Sequence, residues 1–245
     1  MKLKVLGSSS EGNGYILESD SEALCIEAGV KLSEFKKALD FNIKKVKGVI
    51  VSHTHGDHSK YIKDFASAGI RIYSNKDTID NHGLSGNIFS FEVEEGKAYR
   101  IGGFVVQPLK MYHDVPCFGY IIKHPECGKI LFATDTNEIP YIVKDVNYFI
   151  VETNYSASII SENIELGIVD ERFVYRLVES HMEINDTINF LKQQELSNTK
   201  RIILIHMSSK NSDAKQFVEL IEKSIGIPAT AALPGVEINI SNNPY

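Results

Sequence analysis

Six residues constrain this chain more than any other: His53-Thr54-His55-Gly56-Asp57-His58 follow directly on the apolar run Gly48-Val49-Ile50-Val51-Ser52. The run reads as a strand, so the polar hexad sits at a strand's C-terminal end. In extended backbone His53 and His55 point to one side, and Gly56 permits a turn that sends Asp57 and His58 toward a second centre. Three imidazoles and a carboxylate so close together are poor packing material, since each polar group would need its own buried partner. They are, however, the donors from which zinc sites are built. The pattern points to metal binding and does not by itself name a reaction.

A chain of 245 residues with 43% hydrophobic content can bury a sizeable core, and we expect one domain over residues 1–245. Cys25, Cys117 and Cys127 are an odd, scattered set without a C-x-x-C pair, which fits packing roles in a reducing compartment; Cys117 stands apart because it closely follows His113. The opening Met1-Lys2-Leu3-Lys4-Val5-Leu6-Gly7 is too short an apolar run for a signal-peptide core or a membrane span, so a cytoplasmic protein with no membrane partner is expected. A net charge of −6 gives no global attraction for long nucleic acid, and a small or end-on anionic substrate fits better. Charge alone leaves a nuclease open, because bound cations make the local field positive.

Strand-like runs fill the first quarter at 3–6, 15–18, 23–27 and 46–52, with a short amphipathic helix over 32–39 and a further strand at 70–73. A second strand-rich group follows at 104–106, 118–122, 130–132 and 148–151. Helices are then predicted over 162–177, 185–194 and 213–224, around a buried strand at 201–205. The acidic stretch 162–167 is left between a plain surface loop, a lid and a partner contact. Two groups of strands, each followed by helices, predict an α/β fold of two sheets packed face to face under outer helices.

At the hexad the sequence resembles the metallo-β-lactamase superfamily, whose H-x-H-x-D-H loop it matches at every ligand position. Lys110-Met111-Tyr112-His113-Asp114, Phe132-Ala133-Thr134-Asp135-Thr136 and Ile203-Leu204-Ile205-His206-Met207-Ser208 resemble its later motifs. Taken alone, His113 is as readily an ordinary loop histidine and Asp135 a turn former. The resemblance implies a four-layer αββα sandwich of two packed mixed sheets with outer helices. It also implies two divalent metal ions, zinc first and manganese second. His53, His55 and His113 would hold one, Asp57, His58 and His206 the other, with Asp135 bridging. A hydroxide between the ions would attack the substrate.

Ser180-His181-Met182-Glu183 resembles the histidine motif of the superfamily's phosphodiesterases, such as ribonuclease Z. That makes His181 a candidate general acid and phosphate contact, beside the reading of a helix-capping surface histidine. Catalysis would then rest on Asp57, Asp135 and His181. Gly7-Ser8-Ser9-Ser10-Glu11-Gly12-Asn13-Gly14, Asp135-Thr136 and Ser208-Ser209-Lys210-Asn211-Ser212 resemble the YycJ/WalJ-like branch, linked to exonuclease activity on DNA. Ser9, Ser10 and Asn13 would line the site or form a turn, and Lys210 would meet phosphate or solvent. Two positions depart from the family pattern: Glu27 stands where Asp is usual, and Met182-Glu183 where a small hydroxyl residue is commoner. The resemblance therefore implies a nucleic acid or nucleotide substrate and a possible homodimer. Cyclic-nucleotide hydrolysis is the main rival, ahead of lactonase or β-lactamase chemistry and of a flavodiiron-type redox protein, which normally carries Glu at the position of His55.

Overall fold

The computed structural model describes residues 1–170, 172 and 174–242, and side-chain alternation along its strands decides the layering. In β1 (Lys2–Ser9), β2 (Gly12–Glu18) and β3 (Ala23–Ile26) successive residues fall on opposite faces. Leu3, Val5, Tyr15, Leu17, Leu24 and Ile26 enter a central core, whereas Ile16, Ala23 and Cys25 enter an outer one. That outer core is closed by α1 (Leu32–Ala38) through Leu32 and Phe35. It continues past β4 (Val46–Ile50) and α2 (Gly56–Ser59) to α3 (Ile62–Ser67), which contributes Ile62 and Phe65. β5 (Ile72–Ser74), α4 (Lys76–Asn81) and β6 (Ser90–Glu92) complete this half of the molecule.

The second half repeats the logic with a different connectivity. β7 (Tyr99–Ile101), β8 (Phe104–Met111), β9 (Cys117–His124) and β10 (Gly128–Ala133) form an antiparallel meander. β11 (Tyr148–Glu152) then joins β10 in parallel. Parallel neighbours need long crossovers; the one from β10 to β11 is a loop over residues 134–147, and the next two are helical. α5 (Ala157–Glu165), α6 (Val174–Ser180) and α7 (Ile184–Lys192) lead to β12 (Arg201–Ile205), and α8 (Ala214–Ile225) leads to β13 (Ala229–Ala231). Ile130, Phe132, Tyr148, Ile150, Ile203 and Ile205 face the first sheet, while Leu131, Phe149, Ile202 and Leu204 meet Ile188, Leu191, Phe217 and Ile221 of the helices. Each such fully buried side chain contributes about 1.5–3 kcal/mol, so the two-residue period fixes both faces of both sheets.

The last strand, β14 (Glu237–Asn239), pairs with β1, giving orders β14-β1-β2-β3-β4-β5-β6 and β13-β12-β11-β10-β9-β8-β7. Both sheets are mixed and seven-stranded, with helices outside, as expected for an αββα sandwich. Among the described residues no helix is long and apolar enough to cross a membrane.

The single helix expected over 162–177 is replaced by α5 and α6. Gly167 takes the left-handed conformation at φ 70° immediately after the C-cap Leu166, the usual way for a helix to stop. Residues 162–165 of the acidic stretch thus form the last turn of α5 rather than a loop.

Candidate metal centre

Each residue of the site follows the end of a strand. His53 and His55 come after β4, with Asp57 and His58 on the single-turn α2; His113 follows β8, Asp135 follows β10 and His206 follows β12. Both sheets therefore deliver side chains to one edge of the sandwich, where their backbone no longer needs ladder partners.

The side chains converge on two points. Nε2 of His53 and Nε2 of His113 each lie 3.1 Å from Nδ1 of His55. Tetrahedral ligands at about 2.0–2.1 Å from one zinc are separated by roughly 3.3 Å. At the second point Oδ2 of Asp57 is 3.2 Å from Nε2 of His58 and 3.2 Å from Nε2 of His206. Asp135 stands between them: Oδ1 is 3.1 Å from His58 Nε2, and Oδ2 is 3.8 and 3.9 Å from His53 and His113. His53, His55, His113 and Asp135 thus form one possible metal-holding group, and Asp57, His58, Asp135 and His206 another.

The far sides of His113, His206 and His53 fit the same reading. A ligating histidine usually engages its other ring nitrogen with an oxygen acceptor, which fixes tautomer and orientation. Here His113 Nδ1–H donates to the Ser180 carbonyl at 3.2 Å, His206 Nδ1 faces Glu152 Oε1 at 2.9 Å, and His53 Nδ1 faces Ser52 Oγ at 2.8 Å. His58 Nδ1 faces Glu27 Oε2 at 3.5 Å, beyond a hydrogen bond, and has no other partner among the described residues. His55 turns Nε2 to Asp114 Oδ1 at 3.4 Å. Three imidazole nitrogens aimed at one point cannot all satisfy one another as donors, so the donor set suits a cation.

Electrostatics prepares the carboxylates. Burial works against ionisation of Asp135, but the positive charges of His206 and His58 outweigh it and hold its carboxyl well below the usual range. Burial likewise opposes the charge on Asp57, yet hydrogen bonds from His206 and His58 keep it lowered. His53 is depressed by burial and by the charge on His58, so it stays neutral, as a ligand must.

His181 joins the cluster in a third possible metal-holding group, with Asp135, Glu152 and His206. It follows α6, lines the same cleft as His113 and His206, and stacks on His206 with ring centroids 5.3 Å apart. Its side chain is 20% exposed and its Nδ1–H donates to Glu152 Oε1 at 2.7 Å, so it does not cap the following helix; Glu183 does, accepting from the Asn185 amide. Burial lowers the His181 pKa, but the Glu152 charge and hydrogen bond win and leave it raised.

Glu152 is the residue that the sequence did not single out. It is fully buried, and its second oxygen accepts the amides of Thr136 at 3.0 Å and Met182 at 3.3 Å. Ser8, part of the opening motif but given no role of its own there, accepts the His206 amide through Oγ at 3.0 Å. Of the residues left open above, Asn13 is buried with Nδ2 3.3 Å from Asp57 Oδ2 and 3.0 Å from His58 Nε2, and Ser10 lines the cleft. Ser9 serves a turn, accepting the Glu11 amide, and Lys210 is exposed. Cys117 is buried 3.7 Å from His53 Nδ1. Glu27 braces the hexad by accepting the Ser52 amide at 3.2 Å.

The loops reach these positions through uncommon backbone. Glu27, Asp135 and His206 have φ of 64°, 46° and 52°, a left-handed region that costs a side-chain-bearing residue of order 1 kcal/mol or more. Gly29 is required for a different reason: a Cβ there would overlap the Asp57 carbonyl oxygen.

Comparison with known proteins agrees with this geometry. The family model for the beta-lactamase superfamily domain matches residues 26–207. The chain belongs to that superfamily. Its curated relatives include the exodeoxyribonuclease YycJ of Bacillus anthracis, 28% identical over 230 residues that cover 86% of this chain and 84% of the relative. The exodeoxyribonuclease WalJ of Streptococcus pneumoniae is 23% identical over 225 residues, covering 86% and 83%. Among solved structures, the metallo-beta-lactamase fold protein YhfI from Bacillus subtilis superposes with a TM-score of 0.75 at 17% identity, over 97% of this chain and 99% of that one. Membership of the beta-lactamase superfamily, with relatives of this kind and two His/Asp groups at the strand ends, makes the protein a metal-dependent hydrolase.

Proposed function

We propose that the protein is a phosphodiesterase acting on DNA, with an exonuclease-like preference for an end. The observation that carries this reading is the His181–Glu152 pair. An imidazole held beside both metal-holding groups but engaged by a buried carboxylate is a proton donor in waiting. The similarity to curated exodeoxyribonucleases over most of the chain supports DNA as the substrate. A net charge of −6 supports end-on engagement over tracking along duplex.

In this reading His53, His55 and His113 would hold one cation, Asp57, His58 and His206 the other, and Asp135 would serve both. Two divalent cations there, zinc by the imidazole-rich donor set or manganese by the carboxylates, would activate a water and offset charge on the phosphoryl oxygens. The protein's own part is proton handling and orientation. Glu152 receives Nδ1–H of His181, which leaves Nε2–H free to protonate the leaving oxygen. Asp57 presents Oδ2 to His58 and His206, and its ionised carboxylate would orient the attacking water by accepting a hydrogen bond from it. Both sheets supply residues to the one site, which supports residues 1–245 acting as a single domain.

The test is hydrolysis of a panel of single-stranded DNA, RNA, a cyclic mononucleotide and a β-lactam, with zinc or manganese added. Cleavage of DNA that disappears in Asp135→Ala and falls roughly a hundredfold in His181→Ala is the expected result. Turnover of the β-lactam alone would overturn the assignment.

A further inference from the structure

The metal cleft does not end at the metal ligands. Its cavity of about 420 Å³ shares His113, Asp114, Arg176 and Ser180 with a neighbouring open hollow of about 320 Å³, lined also by Tyr112, Asn137 and Glu179. Among the described residues, Arg176 is the one lysine or arginine lining either cavity. Its guanidinium is 79% exposed and lies 3.6 Å from Asp114 Oδ2, an ion pair without a hydrogen bond, and among the described residues its donors have no other partner. Tyr112 is 50% exposed.

Neither residue is a loose surface group. Ser180 accepts Nδ1–H of His113 through its carbonyl and donates its hydroxyl to the Arg176 carbonyl at 2.6 Å, so the backbone that bears Arg176 is registered on a metal-site histidine. The Tyr112 amide donates to Thr136 Oγ1 at 3.1 Å and its carbonyl accepts the Asn137 amide at 3.3 Å, which ties the ring to the loop carrying Asp135. The hollow's own charges are one cation against the carboxylates of Asp114 and Glu179, so it does not favour an anion throughout. It suits an uncharged ring and sugar, with the phosphate at the shared wall.

We propose that this hollow is a substrate subsite for the nucleotide unit next to the cleaved bond. Arg176 binds a phosphate oxygen with its planar fork, leaving Asp114 to do so. Tyr112 takes the base on its ring, and Asn137 and Glu179 meet polar edges of base or sugar. At about 320 Å³ the hollow lies within the range of small-ligand pockets. The inference rests on the phosphodiesterase reading for the cleaved bond, though binding of the unit itself does not require turnover.

The experiment uses the metal-loaded protein and the variants Arg176→Ala, Tyr112→Ala and Tyr112→Phe. Each is assayed for kcat/KM on a thymidine dinucleotide and on methyl 4-nitrophenyl phosphate, which has no base, and is titrated calorimetrically with dAMP. Tyr112→Ala is expected to lower the ratio of dinucleotide to chromogen kcat/KM roughly tenfold, with Tyr112→Phe close to wild type. Arg176→Ala is expected to weaken dAMP binding roughly tenfold. Wild-type cleavage of both substrates with ratio and dAMP affinity unchanged in the variants overturns the subsite and leaves the phosphodiesterase reading intact. Binding of dAMP that weakens in the variants, without wild-type turnover of either substrate, upholds the subsite and overturns that reading.

Discussion

Glu152 receives the Nδ1–H of His181 at 2.7 Å through the same oxygen that His206 approaches at 2.9 Å. One buried carboxylate thus orients the proposed proton donor and a proposed metal ligand together. Its charge keeps His181 protonated above the ordinary histidine range. The rate should therefore hold above pH 6.5 and fall as pH rises through the raised value. Glu152→Gln should lower kcat roughly 10- to 100-fold and move that alkaline limb to lower pH. A pH–rate profile checks both; a uniform loss with no shift would mean that Glu152 only supports the fold.

Metal removal should cost stability as well as activity, because the buried His and Asp side chains lose what holds them together. At free metal a hundred times Kd the bound form gains about 2.7 kcal/mol over the stripped one. Thermal unfolding with chelator, and again after adding zinc or manganese, should show a rise in Tm on reloading. Asp135→Ala should show less than half of that rise.

Gly29→Ala tests how tightly the loops interlock. The new methyl group would push on the Asp57 carbonyl, an overpacking cost of about 1–3 kcal/mol. Because Asp57 belongs to one of the two proposed metal-holding groups, equilibrium dialysis should find weaker metal retention together with the lower Tm. Loss of stability with full retention would separate the two.

Away from the site, Glu18 bridges Lys4 at 2.8 Å and Lys45 at 2.9 Å. Burial opposes its charge, but hydrogen bonds from both lysines win and hold its carboxyl below the ordinary value of 4.5. That stability is present above pH 4.5 and is lost as pH falls through the folded value. Denaturant titrations should find Glu18→Gln about 1 kcal/mol less stable than wild type at pH 7, with the gap closing toward pH 3. An equal gap at both values would assign the loss to packing.

What the sequence made legible follows from locality. The hexad could be read as a metal loop because its donors are neighbours, and the strand 201–205 because an unbroken apolar run fits β12. The joining of the hexad to His113, Asp135 and His206 came through the family resemblance. Glu152 escaped notice because its partners Thr136, His181 and His206 lie 16, 29 and 54 residues away; on the sequence it is merely an acid closing an apolar strand. The β14–β1 pairing, marked by Lys2 and Glu237 at a separation of 235 residues, is likewise invisible to any local pattern. The helix over 162–177 failed because hydrophobic periodicity ran on through Gly167, whose left-handed backbone ended it.

The left-handed backbone at Glu27, Asp135 and His206 has an evolutionary corollary. Glycine at any of the three would relieve the left-handed backbone, but it would free the unfolded chain and empty a buried position, while deleting a brace or a candidate ligand. Their strained backbone is a cost that the side chains' work at the site has to justify, so persistence of these residues in descendants of the chain would record selection for activity.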